Sequence, residues 1–148
     1  MNVVPFEAWH TKFIRRDLTD PEIFLNFLDW DKSSHAVQRI SAAYTIIDSG
    51  KVIVSAGIFK LWEGTGDIWI YYGDDSYTPK RRLSVIKTMR RYLAIFMCEL
   101  KLTRVQGSVR ADRPNFIKFA KLFGFKEEGL MRNYSKDNDD VLMMAKYG

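Results

Sequence analysis

The sequence predicts a mixed α/β chain of the α+β class, with a central, mostly antiparallel twisted sheet and helices on both faces. Three observations carry this. Helical and strand patterns interleave along the whole chain, with no linker, repeat or low-complexity stretch. Polar turns join neighbouring strands, which makes hairpins. One strand, a long helix and another strand follow in succession, which reads as a right-handed crossover between parallel strands.

The elements follow in order. Asp20-Pro21-Glu22 reads as a helix start, with an N-cap, a proline at the first helical position and an acid in the first turn. Ile23, Phe24, Phe27 and Leu28 continue as an apolar stripe at helical spacing, extended by Trp30. A strand over Ala42 to Ile47 runs into the turn Asp48-Ser49-Gly50. The next strand, Lys51 to Lys60, alternates, with Val52, Val54, Ala56 and Ile58 on one face and Ile53, Ser55 and Phe59 on the other. A loop at Glu63 to Gly66 leads to a strand over Asp67 to Tyr72, closed by Gly73.

Pro79 opens the longest helix, in which Val85, Met89, Tyr92, Leu93, Phe96 and Leu100 share one face. Its cations crowd the wrong end. The helix dipole favours acids at the N-terminus, yet Lys80, Arg81 and Arg82 stand there. A bound phosphate would reverse that sign. A strand over Arg104 to Arg110 follows, and Gly107 within it predicts a bulge or a close approach to another backbone or ligand. Asp112 and Pro114 read as an N-cap and an N1 proline. Phe116, Phe119, Ala120 and Phe123 form the buried stripe of a short helix, ended by Gly124 in the left-handed C′ position with Phe125 folding back. Strands over Glu128 to Tyr134 and Val141 to Tyr147 flank the polar turn Ser135 to Asp140.

Composition bounds the function. The chain has 148 residues, 47% of them apolar, which is enough for one domain spanning 1–148 with a proper core. No apolar run is long enough to span a bilayer, so a membrane partner is not expected. Cys98 is the only cysteine, and no secretory leader is visible, which fits a cytoplasmic setting. His10 and His35 stand alone, with no metal-ligand spacing. The net charge of +5 concentrates in Lys80, Arg81, Arg82, Lys87, Arg90 and Arg91. Such a cluster attracts phosphate. Without aromatic interleaving or a nucleic-acid module, nucleic acid ranks below a small phosphate-bearing ligand.

The residues Val109-Arg110-Ala111-Asp112, the helix Ile117 to Phe123, Gly124-Phe125, Glu128-Gly129 and Arg132 carry a resemblance. Together with the element order from about Asp20 to the end, they resemble the GNAT superfamily of acetyl-CoA-dependent N-acetyltransferases. The resemblance implies that acetyl-CoA lies between two splayed parallel strands, and that an amine of a small molecule or protein attacks the thioester directly. It implies cofactor contacts at Ile70, Tyr71 and Tyr72 on the strand beside the pantetheine arm. It implies pyrophosphate contacts at Lys80, Arg81, Arg82, Leu83 and Ser84, with a further contact at Asn115.

Three positions depart from the family pattern. The loop from Ser76 to Ser84 contains no glycine, so Lys80, Arg81 and Arg82 would bind phosphate by side-chain charge. Ala120 stands where the family's tyrosine usually sits, and Arg113 at the usual asparagine. The resemblance assigns no general base. Asp67 is the one acid on its strand, and Tyr71, Tyr72 and Tyr134 are proton-transfer candidates. The resemblance implies that the turn holding Asp137, Asp139 and Asp140 lines the acceptor side, where they would attract a cationic amine. A looser resemblance is to compact GNAT-like proteins of tailed phages, some linked to virions, with reduced cofactor binding. It implies a catalytically silent binding or structural protein as the alternative. The exposed terminal strands of such a fold leave room for a homodimer.

Overall fold

The computed structural model describes residues 1–14, 30–73 and 79–148. The expected helix from Asp20 lies outside them. β1 (Asn2–Pro5) precedes a 3-10 helix (Ala8–Phe13), and α1 spans Trp30–Ile40. β2 (Ser41–Asp48), β3 (Lys51–Trp62) and β4 (Thr65–Tyr72) form a meander. α2 (Pro79–Glu99) crosses to β5 (Arg104–Arg110). α3 (Pro114–Leu122), β6 (Lys126–Met131) and β7 (Val141–Tyr147) complete the chain.

The strands form one sheet in the order β1-β2-β3-β4-β5-β7-β6. Among the described strands only β4 and β5 pair in parallel, as the crossover predicts. Ser49 and Gly50 both take positive φ between β2 and β3, the geometry of a two-residue hairpin turn whose twist matches the strands. β1 and the 3-10 helix carry too few periodic residues to be read from sequence.

Core packs on both faces. On one, α2 sets Val85, Met89, Leu93 and Met97 against Tyr44, Ile46, Val54, Ala56 and Ile58. These helical residues recur every four positions, which is why the stripe is readable. On the other face Phe6, Ile14, Val37, Phe59, Trp69 and Tyr71 pack together. The alternation along β3 holds from Val54 to Phe59. Before it, Ile46 pairs with Val54 while Ile47 pairs with Val52, so Ile53 is the extra residue of a bulge. The bulge shifts the phase, and Ile53 joins the α2-side cluster that Val52 was expected to join.

The C-terminal elements need three corrections. The N-cap of α3 is Arg113, not Asp112, although Pro114 does occupy the first turn. Asp112 instead receives Arg110, Nε to Oδ1 at 3.2 Å and NH2 to Oδ2 at 2.9 Å. β6 runs from Lys126 to Met131 rather than from Glu128 to Tyr134. Of the four residues expected as a buried stripe on α3, only Phe123 is buried. Phe116, Phe119 and Ala120 are half-buried, because the helix stands over a cavity rather than a closed core.

The end of α3 is as expected. Gly124 has φ +88°. Its N–H donates to Lys121 O at 3.0 Å, and the Phe125 N–H to Ala120 O at 3.3 Å. These are the two bonds of the Schellman motif. Lys146 Nζ donates to Phe123 O at 2.8 Å, and Arg90 Nε to Leu122 O at 3.1 Å, placing cations on the negative end of the helix.

Candidate active site

The site begins where a ladder stops. β4 and β5 pair at Thr65 with Arg104, Gly66 with Val105 and Asp67 with Gln106, and no further. From Ile68 and Gly107 onward each strand keeps its other neighbour, β3 or β7, while the edges facing each other go unpaired. Such edges present backbone N–H and C=O groups that need partners. Gly107 keeps regular register with Met144, so the expected bulge is absent. Its glycine is required by a close approach of another kind: a Cβ there would meet Ile68 Cγ2 at 2.8 Å. Ile68 and Gly107 together close the narrow end of the gap.

An apolar cavity of about 150 Å³ opens from the gap. Ile70 and Tyr72 of β4, Val109 of β5, Met89 and Leu93 of α2, and Phe116 and Phe119 of α3 line it. Tyr72 stacks on Phe116 with ring centroids 5.5 Å apart and planes 9° from parallel. Phe119 meets Phe123 edge-on at 4.9 Å. Gly57, Phe59, Trp69 and Tyr71 also line the cavity, so it reaches the opposite face of the sheet through the gap. The indole Nε1 of Trp69 is buried there without a hydrogen-bond partner among the described residues. Such a donor costs about 1–3 kcal/mol until an acceptor reaches it.

The sequence-predicted residues divide accordingly. Ile70, Tyr71 and Tyr72 are walls of the cavity. Burial pushes the Tyr71 hydroxyl pKa up, so it stays protonated. Lys80, Arg81, Arg82, Leu83 and Ser84 occupy the first turns of α2, outside the cavity lining, and Asn115 is exposed in the first turn of α3. Arg81 Nε lies 2.9 Å from Asp48 Oδ2 at the end of β2, so one of the misplaced cations has an acid beside it. Lys80 and Arg82 are exposed, with no ion pair among the described residues. Tyr134 is exposed in the loop after β6. Asp139 in the same loop lies 3.4 Å from the Arg110 guanidinium. No group of metal-ligating side chains occurs among the described residues. No helix among them is long and apolar enough to cross a membrane.

Asp67 carries more than its place in the strand suggests. It forms the last residue pair before the gap, and burial raises its carboxyl pKa to about 7, against the opposing pull of a hydrogen bond from Gln106. Its face of the sheet is the one that carries Trp69 and Tyr71, two and four residues further along β4.

No protein-family model matches the chain, and no curated protein matches it in sequence. Solved structures match it closely in shape. A ribosomal-protein-alanine N-acetyltransferase from Brucella melitensis superposes with a TM-score of 0.70, covering 100% of both chains at 15% identity. Ard1 from Thermoplasma volcanium gives 0.73 at 17% identity, over 99% of this chain and 96% of its own. A variant of the spermidine N-acetyltransferase SpeG from Vibrio cholerae gives 0.68 at 13% identity, over 99% and 95%. This chain has the GNAT fold. Among the described residues, the sheet opens at its one parallel pair, β4 with β5.

Cavity residues that sequence reasoning used only as core are Met89, Leu93, Phe116 and Phe119. The phenylalanine spacing on α3 is the signal in the sequence, and that spacing fits a buried stripe equally well.

Proposed function

We propose that the chain is an acetyl-CoA-dependent N-acetyltransferase that moves an acetyl group to a primary amine by direct attack on the thioester. The observation that carries this is the β4–β5 ladder, which opens after three residue pairs onto an apolar cavity. The pantetheine arm is a slender chain with two amides. Two facing strand edges supply backbone partners for those amides, as in strand addition, and the apolar walls suit its methylene groups. Ile70, Tyr71 and Tyr72 are then the contacts on β4. Lys80 and Arg82, with the backbone of Leu83 and Ser84, would face the pyrophosphate at the start of α2. Arg81 would share its charge between the phosphates and Asp48, and Asn115 would stand at the cleft rim. The amine class is supported by the named acceptors of the similar structures, spermidine and ribosomal-protein alanine.

The Arg81–Asp48 pair and the glycine-free loop favour a second reading, a GNAT-fold protein that binds its ligand without turnover. Calorimetric titration with acetyl-CoA and with CoA tests the first. Micromolar binding is expected, weakened about tenfold or more by the Lys80→Ala/Arg82→Ala double variant. No heat at millimolar ligand overturns the proposal. Binding without acetyl transfer to a panel of primary amines selects the second reading.

A further inference from the structure

The sheet face that carries Trp69 also holds a chain of polar side chains that acetyl-CoA binding does not use. It begins at Tyr147 on β7, whose hydroxyl donates to Glu128 Oε2 at 2.7 Å. Arg104 on β5 grips the same carboxylate, NH1 to Oε2 at 3.1 Å and NH2 to Oε1 at 2.5 Å. Glu128 reaches that position because it is the extra residue of a bulge, lying between the pairs Glu127–Met144 and Gly129–Met143. Arg104 Nε then donates to Gln106 Oε1 at 3.1 Å.

That last bond fixes the amide. A guanidinium only donates, so Gln106 must show Arg104 its oxygen. Its NH2 is left for Asp67, the residue paired with Gln106 across the β4–β5 ladder. Thr65 pairs with Arg104 and Asp67 with Gln106, so Arg104 and Asp67 are diagonal neighbours on one face. A long arginine at that separation would ordinarily close on the carboxylate. Here the Gln106 amide stands between them, and Glu128 takes up the Arg104 charge. The other charged groups on the flanking strand end are Lys60 and Glu63, paired with each other at 2.9 Å. Among the described residues Asp67 is thus left with a neutral donor and no cation.

We infer that Gln106 is a positioning residue: it holds Asp67 off Arg104 and so reserves the Asp67 carboxylate for a cationic amine arriving at the closed end of the β4–β5 gap. This rests on the N-acetyltransferase reading. Asp67 takes one proton from the ammonium. The freed nitrogen pair attacks the thioester carbonyl, the C–N bond forms, the C–S bond breaks, and the thiolate leaves with its electron pair. The second nitrogen proton ends on the thiolate as CoA thiol, and Asp67 returns the first to solvent. A neutral amide beside the carboxylate leaves its affinity for the proton high, where an arginine there would lower it.

The test follows the Asp67 carboxyl by carbon-13 NMR through a pH titration, using 1,4-diaminobutane and a tetrapeptide with a free amino terminus as acetyl acceptors. In Gln106→Leu, Arg104 is freed to pair with Asp67. The Asp67 titration should fall by at least one pH unit, the acid limb of kcat/KM should follow it, and KM for the amine should rise about tenfold. Gln106→Glu holds Arg104 harder and sets an anion beside Asp67, so its titration should rise instead. Opposite shifts in these two variants support the inference even if one of them folds poorly. An Asp67 titration that neither variant moves overturns it, as does undiminished acetyl transfer by Asp67→Asn. Acetyl-CoA binding by calorimetry separates the two readings. Binding with an unmoved titration overturns this inference alone, whereas the expected shifts without binding retain the Gln106 spacer and overturn the transferase.

Discussion

His10, a residue of the 3-10 helix, is 1% exposed, its Nδ1 accepting from the Glu7 N–H at 3.1 Å and standing 2.7 Å from Thr45 Oγ1. Thr45 Oγ1 is in turn 2.8 Å from Ser55 Oγ. A backbone N–H can only donate, so Nδ1 must carry no proton and the ring is neutral. Thr45 can turn its hydroxyl when the ring is charged, but the Glu7 N–H cannot. Burial accordingly lowers the His10 pKa below 6.5, against the pull of Glu7. Asp67 is shifted the other way, from 3.8 to about 7. The signs follow from which state holds the proton. Native His10 resists a proton that the unfolded chain accepts, so its contribution is lost as pH falls below about 6.5. Native Asp67 keeps a proton that the unfolded chain gives up, so stability is lost as pH rises from about 4 to 7. Asp67→Asn should therefore barely change Tm near about pH 4 and raise it by roughly 5 °C near about pH 8. His10→Gln should flatten the loss on the acid side. Thermal melts across pH check both, and an Asp67→Asn gain that is the same at every pH refutes the assignment. A stabilising change at a residue argued to handle the proton has the form of a stability–activity trade-off.

At the level of elements, the close of α3 gives the sharpest stability forecast. Gly124→Ala puts a Cβ at φ +88° and 2.8 Å from Lys146 Nζ. The left-handed conformation costs an L-residue about 1–2 kcal/mol, and displacing Lys146 also strips a donor from Phe123 O. Urea unfolding should show a loss of that order with an unchanged slope. This cap was legible because a glycine between two phenylalanines encodes it locally. The stripe on α2 was legible for a similar reason, since Met89 and Leu93 sit at helical spacing. What the cavity needed was not local. Phe116 and Phe119 have the same spacing over a closed core or over a gap, and only the pairing of β4 with β5 distinguishes the two. Asp67 was visible as the lone acid of its strand. Its partner Gln106 lies 39 positions away, and the bulge that aims Glu128 at Arg104 is a matter of register between β6 and β7. Arg81 was legible as a cation at the wrong helix end, but Asp48, its counter-charge, comes from the far end of a hairpin.

Over the whole molecule the sheet is two blocks, β1 to β4 and β5-β7-β6, joined edge to edge by three residue pairs. Every other neighbouring pair of strands is antiparallel and bonded along most of its length. The junction is therefore the place where a small opening breaks the fewest bonds, and local opening is governed by such counts. A ligand that bonds to both facing edges completes the sheet and binds only the state in which the blocks hold their mutual position. Mass action then stabilises the native chain. At a hundredfold excess over Kd the gain is about 2.7 kcal/mol, which for a chain of this length raises Tm by roughly 5–11 °C. Location distinguishes this from binding elsewhere. With acetyl-CoA present, amide hydrogen exchange should slow most at residues 68–72 and 107–110, whose edges face the gap, and little in β1 or β6. CoA, which has the same pantetheine arm, should reproduce that protection. If saturating acetyl-CoA raises Tm while residues 68–72 and 107–110 exchange as before, the ligand binds somewhere other than between β4 and β5.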